Sequence, residues 1–175
     1  LSAIKPAPHA ITLAKAMFRD MWDQLHGVQS ASTEALKAQL ARLEAQAAGL
    51  AARRLTPGLA EELEDVVSAC EAHAKEYGSS RPEDYYRLNL SFHEVLARAS
   101  GNPFLIDLIK MNARKLMGYY RARYRYPGSV EESAKEHRAI ATVIAAHKRE
   151  EAEAAMETHF NYDRGTVMDL LAAVG

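Results

Sequence analysis

Asn89 and His93 stand one helical turn apart in the run Asn89-Leu-Ser-Phe-His93-Glu-Val-Leu-Ala-Arg-Ala-Ser-Gly101-Asn102, which reads as helix up to its glycine. Side chains at i and i+4 leave a helix from the same face, so an amide oxygen and an imidazole nitrogen can converge on one point. Leu88, Phe92, Leu96 and Ala99 form the neighbouring stripe, which places the pair beside a core. Two later histidines, His137 and His159, each fall on a helical pattern of their own. Three imidazoles and an amide oxygen are a ligand set for a borderline divalent ion: zinc first, with nickel and manganese as alternatives. The stretch from His137 to His159 has room for one helix end, a short turn and the next helix start. Antiparallel helices joined that way could bring both rings to one level of a bundle. All four donors are neutral, so an ion held by them would keep its full charge and draw an anionic ligand such as a carboxylate.

A second chemical stretch runs from Arg114 to Tyr126, where arginines alternate with tyrosines. Arg114 and Arg121 are two helical turns apart and share a face; if it turns inward, one of them could grip a ligand carboxylate through both guanidinium nitrogens. The competing reading is a solvated basic face with tyrosines bridging core and surface. His9, His26, His73 and His147 are read as ordinary core or surface histidines, and Cys70 as inert core. Catalytic signatures are weak. His93-Glu94 begins like the zinc-protease pattern H-E-x-x-H, but its last position is Ala97. There is no Gly-x-Ser-x-Gly, phosphate loop or dinucleotide glycine pattern. A binding domain without catalysis is therefore expected, the alternative being a metal-dependent enzyme that acts on a small organic acid in the same helical pocket.

The elements that must position these residues are helices. β-Branched residues are sparse, while Ala, Leu, Glu, Lys and Arg dominate. A first helix is expected over about 9–26, with Phe18 and Trp22 on a wide apolar face that is a candidate dimer contact. A second starts at Ser32 or Thr33 and carries Leu36, Leu40, Leu43, Ala47, Leu50 and Ala51 to about Leu55. Thr56-Pro57 supplies an N-cap and first-turn proline for a third. The Ser80/Glu83 spacing predicts a capping box for a fourth, which carries Asn89 and His93. Gly101, Asn102 and Pro103 end it and start a fifth, expected to run unbroken to about Tyr126. Pro127-Gly128 breaks that helix, and Ser129 with Glu132 predicts another capping box for a sixth, carrying His137. A seventh, from about Glu150 to Leu171, carries His159. The fold class is all-α: an antiparallel bundle of about seven helices around a central pocket. Residues 1–8 read as the end of a linker and 9–175 as a single domain.

At 175 residues with 48% hydrophobic and 26% charged content, the chain can bury one sizeable core. Its net charge of −1 excludes a polyelectrolyte binder of nucleic acid or membrane. One cysteine rules out an internal disulfide and suits a cytoplasmic location. No apolar run approaches the ~20 residues of a membrane span, so no membrane partner is expected.

The ordered set Asn89-x-x-x-His93, Ala99-Ser-Gly-Asn102-Pro, Glu136-His137-Arg-Ala-Ile and Ala155-Met-x-x-His159, with Leu43-Glu44 and the alanines after it, resembles the C-terminal effector-binding (FCD) domain of GntR-type bacterial regulators, FadR subgroup. The resemblance covers roughly residues 32–160. It implies a helical bundle binding a small effector, often an organic or sugar acid, over a metal held by one Asp or Asn and three His. It also implies a homodimer, and a winged helix-turn-helix domain that binds operator DNA. This chain has no room for such a domain before its first bundle helix, so that module is expected outside it. Two positions depart from the family pattern. Asn89 stands where aspartate is commoner, which removes a charge from the ligand set. Leu40 stands where an acid-binding arginine is frequent, so another residue would have to hold an acidic effector.

Overall fold

A computed structural model of the chain describes residues 35–161. They fall almost entirely in the second of its two compact units, Lys37–Gly175. The expected first helix with Phe18 and Trp22, the start of the second at Ser32 or Thr33, and the end of the seventh lie outside the described residues. Among the described residues there are seven α-helices and no strand: α1 over 35–54, α2 Pro57–Glu76, α3 Pro82–Ala99, α4 Pro103–Lys115, α5 Met117–Arg123, α6 Ser129–Ala145 and α7 Arg149–Asn161. A single 3₁₀ turn, Gly78–Ser80, links α2 to α3.

Proline and glycine set most of the boundaries. Thr56 Oγ1 accepts from the Leu59 N–H, and Asn102 Oδ1 from that of Leu105, each one residue ahead of a proline in the first turn. Gly101 and Gly128 take left-handed φ angles of 62° and 85°, which a Cβ would disfavour. The chain departs from expectation in three places. Ser80 does not cap α3: its hydroxyl donates to the Tyr77 carbonyl, and Pro82 fixes the helix start. Ser129 likewise turns away from a capping box, donating to the carbonyls of Arg123 and Tyr126. The expected long fifth helix breaks at Leu116, whose N–H is shared between the carbonyls of Asn112 and Ala113. Gly118 follows immediately, a poor helix former that gives no support for continuing straight on.

The α6–α7 turn has neither glycine nor proline. His147 takes the left-handed position instead, at φ 58°, and its Nδ1 lies 2.8 Å from the Ala52 carbonyl oxygen. The cost of that backbone is offset by a tie from the turn to α1. α2 packs against α3 and α6, α6 against α7, and α3 against α4. The core is built from Leu63 and Val67 of α2, Tyr85, Phe92 and Leu96 of α3, Ile140 and Ile144 of α6, and Met156 of α7. Burying each such side chain contributes about 1.5–3 kcal/mol. The inner face of α1 is mostly alanine (Ala47, Ala48, Ala51, Ala52), with Leu40 above it. On the surface, Arg138 of α6 reaches both Glu64 and Glu71 of α2 at 2.7 Å, and its hydrogen bonds hold both carboxyls below their usual range. That clamp fixes the register of the helix that carries His137.

Candidate metal centre

His93 projects from α3, His137 from the middle of α6 and His159 from the last turn of α7. One ligand atom from each lies within 4.8 Å of the other two. The rings of His137 and His159 are 5.0 Å apart between centroids, and each is within 5.7 Å of His93. His137 is fully buried and His159 is 4% exposed, while the His93 side chain is 12% exposed. The helical hairpin α6–α7 brings its two histidines to one level, as the sequence spacing predicts.

Each ring is held differently. His159 Nδ1 lies 2.6 Å from a carboxylate oxygen of Glu136, which fixes the tautomer and leaves Nε2 for a ligand. His93 Nδ1 lies 3.2 Å from Oε2 of Glu44, a residue only 1% exposed, but without the alignment of a hydrogen bond. His137 stacks on Phe92 at 3.9 Å between ring centres, nearly parallel, and neither of its nitrogens has a hydrogen-bond partner among the described residues. Burial, reinforced by His159, His93 and Arg123, pushes its pKa well below the usual imidazole value. A neutral ring with orphaned nitrogens suits a cation. An unsatisfied buried polar group costs ~1–3 kcal/mol, and coordination would satisfy one of them. The residues present therefore fit a bound divalent ion.

Asn89 is 4% exposed, and its Oδ1 accepts a 2.8 Å hydrogen bond from the Tyr124 hydroxyl. That hydroxyl lies 3.4 Å from Ser133 Oγ, so Asn89 belongs to a buried polar chain from α3 through α5 to α6. A carbonyl-type oxygen has two lone pairs, and the Tyr124 bond uses one of them. The two arginines singled out from the sequence stand on different helices, Arg114 on α4 and Arg121 on α5, on either side of the break at Leu116, and both lie near Tyr86. Arg114 is exposed and lines a groove of about 320 Å³ between α3 and α4, together with Tyr86, Leu90, His93 and Met117. Arg121 is half-exposed, pairs with Glu83 at 2.8 Å and lies over the Tyr86 ring.

Glu44, Glu136, Tyr124 and the buried Arg123 lie in stretches the sequence singled out, but none of them was assigned a part at the metal centre. Glu136 adjoins His137 and points elsewhere on its own helix, but it reaches the histidine of the next helix. Glu44 carried a readable signal: it is a carboxylate on the stripe of Leu40, Ala47, Ala48 and Ala51, where an apolar residue belongs. Cys70 is buried and its thiol is pushed up to about 12, chiefly by burial, in keeping with inert core.

The family model of the FCD domain matches residues 36–162 of the chain, including all three histidines. No curated protein sequence matches the chain significantly. Among solved structures, E. coli McbR/YncC has a similar fold, with a TM-score of 0.69 at 18% sequence identity over 79% of this chain. This chain spans 65% of the length of that protein. The chain belongs to the FCD domain family, as its resemblance to GntR-type regulators implied.

Proposed function

We propose that this chain is the sensor domain of a DNA-binding transcriptional regulator, holding a divalent metal ion, with zinc the leading choice, on Asn89, His93, His137 and His159. The observation that carries the reading is the convergence of three histidines from three helices, one of them with no hydrogen-bond partner among the described residues. When bound, the ion supplies a positive centre for the oxygens of a small carboxylate, the effector class proposed here. The α3–α4 groove is the proposed approach, since His93 stands on its wall and Arg114 offers a guanidinium to an acid beside it. Arg121, paired with Glu83, is assigned a supporting part at most. Glu44 and Glu136 stand against the Nδ1 sides of His93 and His159, and Glu94 pairs with Lys110. That arrangement favours binding over turnover, because no carboxylate is left as a general base at the trio among the described residues.

In this reading operator DNA is bound by a separate domain and the regulator works as a homodimer. The outer stripe of α4 supports the pairing: Phe104 is 80% exposed, and Leu108 and Met111 follow it at helical spacing. Asp107 lies in the first half of that stripe and Lys115 at its end, so two antiparallel copies of α4 would set each aspartate against the other copy's lysine. The test of the sensor reading is a thermal-shift screen of small organic and sugar acids on the chelated and the zinc-loaded protein. An acid that stabilises only the zinc-loaded form, without being consumed, is the expected result. Turnover of a bound acid, or stabilisation indifferent to metal, contradicts it.

A further inference from the structure

We propose that Glu44 is the carboxylate that compensates the metal site for the charge Asn89 does not provide. The inference rests on the metal reading of the histidine trio and asks what balances the ion. Asn89 and the three histidines bring no negative charge. A dication enclosed by them alone would be desolvated and uncompensated, which is unfavourable in a buried site. Two carboxylates stand directly behind the ligands. Glu136 bonds His159 at 2.6 Å, and Glu44 stands 3.2 Å from His93. Together the two carboxylates match the charge of a dication, while the buried Arg123 adds a further positive charge near His137, so neither carboxylate is dispensable.

Glu44 is the more telling of the two. Glu136 is partly open to solvent, whereas Glu44 is 1% exposed, on the alanine-rich face of α1, and its Oε2 has no aligned hydrogen-bond donor. A buried carboxylate in that condition is a liability to the fold unless a positive centre lies close by. At 3.2 Å stands the equally unsatisfied Nδ1 of His93. With Nδ1 directed at Glu44, Nε2 is the nitrogen of His93 that faces an ion. Glu44 thus acts as a positioning residue through His93: it favours the ring orientation that turns Nε2 to the ion and carries charge into the site without occupying a coordination position.

The experiment is a competition titration of zinc against a chromophoric chelator, with the visible spectrum of the cobalt-loaded protein as a second readout. It uses the whole chain as wild type, Glu44→Gln, Glu44→Asp, Asn89→Asp and Glu44→Gln/Asn89→Asp. Glu44→Gln is expected to weaken zinc binding by roughly 10–100-fold, the usual loss when a partner behind a ligating histidine is removed, and to shift the cobalt spectrum. The metal-free thermal midpoint should not fall. Glu44→Asp, which keeps the charge but draws it back, should lie between, and it carries the test if Glu44→Gln does not fold. Adding Asn89→Asp to Glu44→Gln should recover most of the lost affinity, and Glu44→Gln should cost clearly less measured against Asn89→Asp than against wild type, a coupling that a merely structural role for Glu44 would not produce. Zinc binding equal to wild type in Glu44→Gln, or no recovery in the double variant, overturns the assignment. Failure of wild type to bind zinc overturns the metal reading itself, and this inference with it.

Discussion

His137 is a residue kept at a cost. Both of its nitrogens lie in the interior without a hydrogen-bond partner among the described residues, one face of its ring is covered by Phe92, and burial keeps it neutral. The ring's usual pKa is near 6.5, and the folded value lies well below that. As pH falls through 6.5, the unfolded chain therefore takes up a proton that the folded chain refuses. Stability of the metal-free protein is fully present above that pH and declines below it, by at most about 1.4 kcal/mol per pH unit for one such group. Urea unfolding of chelated protein between pH 7.5 and 5.5 should show this decline, and His137→Ala should flatten it. An equal slope in the variant would place the pH dependence elsewhere. The same scale explains what the sequence hid. Histidines declare their chemistry by type, and all three proposed from the sequence meet in space. Glu44 and Glu136 act across helices, on rings 49 and 23 positions away in the chain, and short-range spacing carries no information about such contacts.

At the scale of elements, the helix punctuation was legible wherever backbone chemistry alone decides it: Thr56-Pro57, Gly101-Asn102-Pro103 and Pro127-Gly128 all act as their residue types require. The expected capping boxes were not. A serine hydroxyl is free to choose among nearby carbonyls, and at Ser80 and Ser129 it did. The break at Leu116 was missed for a similar reason, since Gly118 is a mild destabiliser and not a stop. The break matters because it puts Arg114 and Arg121 on different helices and turns α4 into a short helix with its own outer stripe. That stripe carries three of the five large apolar side chains exposed among the described residues, and contiguous exposed apolar surface of this kind marks an interface. Leu108→Glu puts a charge at its centre while leaving the core side of α4 untouched. Light scattering after size exclusion should find a dimer in wild type and a monomer in this variant. A wild-type monomer would contradict the pairing proposal, and a dimer in both would move the contact off α4.

The described bundle is a scaffold in which several helices meet at one point. α3, α6 and α7 each give a histidine, α1 brings Glu44 to the back of one ring, and α5 brings Tyr124 to Asn89. The Arg138 clamp between α6 and α2 and the His147 tie from the α6–α7 turn to α1 hold that convergence from outside. No described helix is long and apolar enough to cross a membrane. A centre made by so many elements is coupled to the global fold, so an ion bound there should stabilise the native state by mass action, and an effector that changes its surroundings can be sensed across the bundle. The measurement that tests this account most directly is elemental analysis of the purified protein, wild type beside His137→Ala, after dialysis against excess zinc and then metal-free buffer. One equivalent of metal in wild type and none in the variant is the predicted result. No retained metal in a folded wild type, or equal retention in both, would contradict the metal centre on which the account rests.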